Sequence, residues 1–370
     1  MTSFLRSLRP AQLASASGVS DAWALEPREL ERALQGPAGA RVFAALHRPW
    51  RWRDGRPSLA GRHIEGLEPL GLEFPVVARS NASADGTHKL LLGMPGGGSV
   101  EVVHMPRAVG HERVTLCVSS QVGCALGCTF CATAALGLER HLSAGEIVGE
   151  VLVALRELGP RHPGDLTLVF MGMGEPLHNL TNVARAISVL THPSGLGLSP
   201  RRITVSTAGL VPRLDTLARL ERRPLLAVSL NATTNELRSE LMPINRRYPL
   251  ESLHSALCAY PCRPRERITI EYVLLAGVND SPDDAVRLAD FCAGFPHHVN
   301  LIPFNEHPGS AFRAPQEAEL DAFVGALLRR RPTLVTVRRS RGRDIDAACG
   351  QLARLEPRGA QSASSVAPIV

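Results

Sequence analysis

With 370 residues, 44% of them hydrophobic and 21% charged, the chain is long enough to bury a large core and is expected to form one large domain with a smaller companion. No apolar run reaches the about 18 residues needed to cross a bilayer, and the opening MTSFLRSLRP lacks a secretory apolar segment, so no membrane association and a cytoplasmic location are expected. The net charge of +6 favours an anionic partner, RNA foremost, whereas three Trp and three Tyr argue against a module that stacks single-stranded bases on aromatic rings.

All of the 41 basic residues except Lys89 are arginine, a preference that a GC-biased genome produces without any role in binding. More informative are the clusters Arg201-Arg202, Arg246-Arg247, Arg329 to Arg331, and Arg338-Arg339 with Arg341. Each is either a solvated helix end or part of an anion-binding surface.

Residues 1–73 carry helical periodicity in pieces, at 26–34 and 40–46, broken by Gly36-Pro37, and read as a helical accessory region. Residues 74–106 change to short β-type runs separated by Asp85-Gly86 and Gly96-Gly97-Gly98, the pattern of a small β-meander. From 107 to 354 short apolar strands alternate with amphipathic helices. Strands are predicted at 113–119, 166–173, 202–208, 225–231, 267–275 and 298–305, and helices at 143–158, 182–190, 211–220, 250–259, 281–292 and 316–330. Ser143 and Glu146 have the spacing of a capping box. Residues 355–370 read as a disordered tail.

Alternating strands and helices imply an α/β fold with a parallel sheet and right-handed crossovers. Six units are too few to close an eight-stranded barrel, so the fold class is a partial (β/α)6 TIM-like barrel preceded by the helical and β-hairpin accessory region. Reacting groups in such folds gather at the C-terminal ends of the strands. Gly174, Glu175, Ser206, Ser229, Leu230, Asn231 and Asn305 fall there, and a cysteine-rich stretch follows the first strand.

That stretch, CVSSQVGCALGCTFC, holds four of the eight cysteines. Cys124, Cys128 and Cys131 are spaced Cys-x3-Cys-x2-Cys, with Phe130 just before the last. Three thiolates so placed can hold three corners of an iron-sulfur cube and leave one iron open. Structural zinc is disfavoured because no second cysteine pair follows, and a disulfide framework because the cysteines crowd one segment of a long chain. The spacing resembles the cluster motif of the radical S-adenosylmethionine (SAM) superfamily. The resemblance implies one 4Fe-4S cluster whose open iron is chelated by SAM, and a radical formed by one-electron reduction of the sulfonium.

The stretches CVSSQVGCALGCTFCAT, FMGMGEP, SPRRITVSTAG, LMPINRRYPL, YVLLAGVNDS, HVNLIPFN and DIDAACGQL occur in that order. Together they resemble the RlmN/Cfr family of radical-SAM RNA methyltransferases, from about residue 83 to 352. The likeness implies that Cys349 accepts a methyl group from one SAM. A second SAM then supplies the radical that converts the S-methyl group to a methylene radical, which adds to adenine. Cys117 would release the RNA through a transient disulfide, and Glu101 would accept a proton. Glu175 and Gly174 would receive the SAM ammonium, and Ser206, Ser229, Leu230, Asn231 and Asn305 its ribose and carboxylate. Asn231 stands where the family usually has histidine, so an imidazole-specific role there is lost.

The implied substrate is an adenosine of 23S ribosomal RNA in the peptidyl transferase centre, with carbon 2 favoured over carbon 8 and a transfer RNA adenosine as candidate second substrate. A flavodoxin or ferredoxin is the expected electron donor, and the chain is expected to be a monomer. The competing readings are a radical-SAM enzyme for a small molecule or peptide, which has no need of Cys117 and Cys349, and an electron carrier, which would want a fourth cluster ligand. Cys258, Cys262 and Cys292 are read as small buried hydrophobes.

Overall fold

The computed structural model describes residues 21–106, 113–159, 165–307, 309–338 and 341–352. The tail expected at 355–370 lies outside the described residues, as do residues 1–20 of the accessory region. In that region α1 (Pro27–Ala33) and α2 (Gly39–Leu46) occupy the two periodic stretches. A further helix, α3 (Gly61–Leu67), has two glycines in seven residues and so little of a helical signature. Trp23, Trp52 and Phe74 form the aromatic centre of this region, with the Trp23 and Phe74 rings 4.5 Å apart. It is bolted to the barrel by polar contacts: Arg185 donates to Ala24 O and pairs with Glu29, and Ser143 donates to Asp21.

The meander is β1 (Val76–Ala82), β2 (His88–Gly93) and β3 (Ser99–Pro106), all antiparallel. It is not a separate sheet. β3 pairs antiparallel with β4 (Val114–Cys117), the first barrel strand, so the meander extends one ten-stranded sheet. Next comes a hairpin of β5 (Gln121–Gly123) and β6 (Leu138–His141), whose connection carries the three spaced cysteines. The parallel strands continue as β7 (Leu166–Phe170), β8 (Ile203–Thr207), β9 (Leu225–Ser229), β10 (Ile268–Leu274), β11 (His297–Pro303) and β12 (Val335–Val337). All six expected strands are present. β12 adds a short seventh parallel strand at the edge, too brief to show an alternation.

Helices α4 (Ala144–Leu158), α5 (Leu180–Thr191), α6 (Val211–Ala218), α8 (Leu250–Ala259), α9 (Pro282–Phe291) and α10 (Glu317–Arg330) match the expected ones, and α7 (Asn235–Leu241) is additional. The Ser143 hydroxyl accepts from Glu146 N at 3.1 Å and the Glu146 carboxylate accepts from Ser143 N at 2.8 Å, the reciprocal pair that starts α4. Every residue from Ala144 to Leu155 is buried, because α4 packs between β3, the following helix α5 and the short turns at 22–24 and 49–51 of the accessory region. Cys292 is buried and Cys262 half-buried, but Cys258 is exposed on the outer face of α8, 3.6 Å from a ring nitrogen of His254. Its expected burial is therefore corrected.

Hydrogen bonds from described residues after β12 reach both sides of the open sheet. Arg338 N donates to Leu301 O on β11, and Gly342 N donates to Asp85, in the turn between β1 and β2. Four residues reach at most about 14 Å, so the two sides of the open sheet come close here. The Ser83 hydroxyl also donates to Asp344 at 2.6 Å.

Candidate active site

Cys124, Cys128 and Cys131 line a cavity of about 170 Å³ at the C-terminal ends of the strands, together with Phe130, Gly174, Glu175, Ser206, Ser229, Asn231 and Glu271. Burial pushes the Cys124 thiol up to about 11, and raises Cys128 and Cys131 as well; Cys131 adds to this at Cys124, and both Cys131 and Cys124 add to it at Cys128. Three sulfurs gathered in a poorly hydrated site become thiolates only when a cation is present, which fits an iron-sulfur cluster. Among the described residues no three His, Cys, Asp or Glu side chains converge on a single metal ion; in a cubane each cysteine holds its own iron.

Behind Cys128 lies Arg238 of α7, fully buried. It donates to the carbonyls of Ala208, Ser229 and Leu230 and to Asn245 Oδ1, tying the ends of β8 and β9 together. Burial lowers this guanidinium to about 10, and the adjoining Cys128 opposes the shift. The charge complements an anionic cluster.

Glu175 is buried in the cavity wall, with Oε1 accepting from Leu177 N at 2.9 Å and Oε2 from Ala208 N at 2.8 Å. Burial pushes its carboxyl up to about 7, against the two backbone donors that favour the charged form. An ammonium entering the cavity would restore the charge. Gly174 has φ +97°, and a Cβ there would meet Gln121 at 2.6 Å. The Gln121 amide oxygen accepts from Glu175 N at 2.8 Å, so the missing side chain makes room for the residue that orients Glu175.

Ser206 donates to Glu271 at 2.8 Å. Asn231 adopts the left-handed conformation at φ +58°, its Oδ1 accepting from Val273 N at 2.8 Å, a local role that asparagine fills well. Leu230 is wholly buried in the core. Asn305 lines a neighbouring cavity, and its amide donates to Cys349 O at 3.0 Å.

That neighbouring cavity, about 20 Å³ and large enough for about one water, is lined by Cys117, Asn305, Arg338, Met105 and Val103. Met171, Ile302 and Cys349 line both cavities and so form the wall between them. Cys117, distant in sequence from Cys349, thus shares a compartment with it, while Cys349 also faces the cluster cysteines. The Cys349 loop is held from several sides: Ala132 N donates to Gly350 O, Thr133 Oγ1 to Leu352 O, and Gln351 Nε2 to Glu306 O. Two of these anchors follow Cys131 directly.

Burial raises the Cys117 thiol, the facing Cys349 adds to this, and the Arg338 guanidinium opposes it. Arg338 is itself raised, chiefly by Cys349 and also by Glu271 and Cys117. It reaches Met105 and Met171 from the segment after β12. Glu101, on β3, is buried and paired with Lys89 at 3.0 Å. Sequence reasoning did not single out Arg238, Glu271 or Lys89 for a site, and it placed Arg338 only in a basic cluster. Lys89 left one signal, as the lone lysine among arginines.

Residues 118–289 match the Radical SAM superfamily. The chain is 55% identical over 332 residues to the dual-specificity RNA methyltransferase RlmN of Syntrophobacter fumaroxidans, covering 88% of this chain and 95% of the relative. It is 46% identical over 351 residues to that of Geobacter sulfurreducens, covering 90% and 92%. A crystal structure of a radical SAM methyltransferase from Sphaerobacter thermophilus superposes with a TM-score of 0.82 at 40% identity, covering 90% of this chain and 98% of that one. Superfamily membership brings a 4Fe-4S cluster and SAM as cofactors, in agreement with the cysteine-lined cavity and its buried carboxylate. On these relatives, the chain belongs to the RlmN family of radical SAM RNA methyltransferases.

Proposed function

We propose that the protein methylates carbon 2 of an adenosine in 23S ribosomal RNA, at the peptidyl transferase centre, and a transfer RNA adenosine as a second substrate. The reading rests on relatives named dual-specificity RNA methyltransferase RlmN, and their name favours carbon 2 over carbon 8. The observation that carries the mechanism is Cys349 in the wall shared by two cavities, one with the cluster cysteines and one with Cys117. A radical enzyme for small molecules would have no use for that pair.

When bound, the cluster and SAM supply the methyl group and the one-electron chemistry that activates it. Cys124, Cys128 and Cys131 hold the cluster. Glu175 receives the SAM ammonium, with Gly174, Ser206, Ser229 and Asn231 around it. With SAM bound, the Cys349 thiolate would take the methyl group by displacement from the sulfonium, which would leave as a neutral thioether. A ring carbon of adenine is too weak a nucleophile for that displacement, and carrying the carbon on sulfur into a radical addition avoids the demand.

Glu101 accepts the proton lost from the adenine carbon, and the cluster, when bound, would take back the adduct's unpaired electron, so that the ring is restored. The Cys117 thiolate then attacks the Cys349 sulfur. An S–S bond forms, the S–C bond breaks with its electron pair going to carbon, and protonation of that carbon leaves the methyl group on RNA. Arg338, beside both sulfurs, favours the thiolate forms. Cellular thiols reset the disulfide; in the structure all eight cysteines are free. A monomer in the cytoplasm, served by a flavodoxin or ferredoxin, completes the reading. Mass spectrometry of 23S and transfer RNA from cells with and without the gene tests it: 2-methyladenosine should vanish from both with the gene, and its persistence would reject the assignment.

A further inference from the structure

The chain's single lysine joins two parts of the site that lie far apart in sequence. In the sheet, Lys89 on β2 stands opposite Val103 on β3, and Val103 opposite Cys117 on β4. Directly opposed residues point to one face, and so do alternate residues along a strand. Glu101, Val103 and Met105 therefore share the face that carries Lys89 and Cys117, and Val103 and Met105 line the cavity of the two reactive cysteines.

On this face the Lys89 ammonium lies 3.0 Å from Glu101 Oε1, with both side chains 5% exposed or less. It also donates to Asp346 O at 3.1 Å, three residues before Cys349. A buried carboxylate keeps its charge only against a nearby cation, and an ammonium has three donors with which to serve more than one partner.

We propose that Lys89 is a positioning residue that holds Glu101 as a carboxylate and ties it to the Cys349 loop, keeping proton acceptor and methyl carrier in fixed register. The inference rests on the roles proposed above for Glu101 and Cys349. Lys89 touches neither RNA nor SAM in this role; it acts through Glu101. An ion pair serving stability alone would make the two residues necessary for folding but leave no signature in the proton-transfer step.

The test uses cluster-loaded enzyme in three variants, Lys89→Met, Glu101→Gln and the double variant, which leaves no uncompensated buried charge. Methyl loading of Cys349, read by mass spectrometry, reports an intact site, and steady-state RNA methylation reports turnover. Lys89→Met should load the methyl group yet lose roughly 100-fold in kcat, the lower end of a general-base contribution, with the KM for RNA within about twofold. The double variant should be no slower than Glu101→Gln, because two residues acting in one step are not additive. If Lys89→Met does not load but the double variant does, the turnover of the double variant decides: if it is no slower than Glu101→Gln the proposal stands, and if it is slower the proposal falls. Normal turnover of Lys89→Met beside an impaired Glu101→Gln overturns it, as does a double variant that multiplies the two losses or fails to load. Normal turnover of Glu101→Gln instead rejects the proton-acceptor reading on which it rests.

Discussion

The side-chain amide of Asn305 donates to the carbonyl of Cys349 at 3.0 Å, so the segment just past β11 holds the loop that carries Cys349. Removing that donor leaves a carbonyl short of a partner at a cost of about 1 kcal/mol. Asn305→Ala should therefore slow methyl loading of Cys349 by roughly fivefold while leaving SAM affinity within about threefold of wild type. Isothermal titration with SAM, run beside mass spectrometry of the loaded protein, checks both. A large fall in SAM affinity would instead make Asn305 a direct cofactor contact.

Cys117 and Cys349 line one small cavity with Arg338. Cys117→Ala should load the methyl group and bond to RNA, then stall, giving protein attached to RNA through Cys349 and visible as a nuclease-sensitive band on a denaturing gel. Arg338→Met should show the same band transiently, because without the guanidinium the attacking thiol loses about tenfold or more of its thiolate fraction. Cys349→Ala should give no adduct at all.

Burial sets the Glu175 carboxyl at about 7, above its usual range. Below that pH the group is neutral and offers an incoming ammonium only a dipole; above it the carboxylate is in place. SAM affinity should rise with pH through about 7, approaching tenfold per unit on the acid side. Glu175→Gln should bind weakly at every pH and flatten the profile. The same raised value means that Glu175 opposes folding more as pH rises from about 4.5 to about 7, so bound SAM should stabilise the protein most above that window.

His47 lies between two carbonyls, Nδ1 at 2.9 Å from Phe43 O and Nε2 at 2.9 Å from Trp23 O. Burial nevertheless lowers it to about 4, because the desolvation of an imidazolium outweighs both acceptors. The unfolded chain then binds the proton more readily than the folded one between about 6.5 and about 4, so stability falls as pH falls through that range. The loss is about 3 kcal/mol at most. Urea melts should show it, and His47→Gln should lose this pH dependence while being less stable at neutral pH.

Local features made much of this protein legible in its sequence. Apolar runs bounded by turns marked the six barrel strands, and Ser143 with Glu146 marked the start of α4, because both signals depend on neighbours within a few residues. The three spaced cysteines and the ordered motifs were legible for the same reason. β12 was too short to show its period, α3 carries two glycines in seven residues, and α7 has only Leu237 and Leu241 as apolar residues, so neither helix shows an amphipathic stripe. The partners of Arg238, Lys89 and Arg338 were hidden because each acts across the fold: Arg338 meets Met105, 233 positions away, and no local pattern records such a meeting. Leu230 and Asn305 sit at strand ends, as read from the sequence. Which way each side chain turns there is decided by packing: the first goes into the core, the second toward the Cys349 loop.

The wall between the two cavities also sets a limit on how the protein works as a population. A single thiol, that of Cys349, stands where both compartments meet, so on the proposed mechanism each polypeptide would hold at most one methyl equivalent, whatever the supply of donor. Within a cycle of that mechanism the chain would be a stoichiometric reagent: alkylated, bonded to its product, oxidised, and ready again only when a thiol has reduced it. The first turnover would draw on a store already built into the protein. On that mechanism every later one would wait for cellular thiols to reduce the disulfide, which would tie RNA modification by this chain to the redox state of its surroundings.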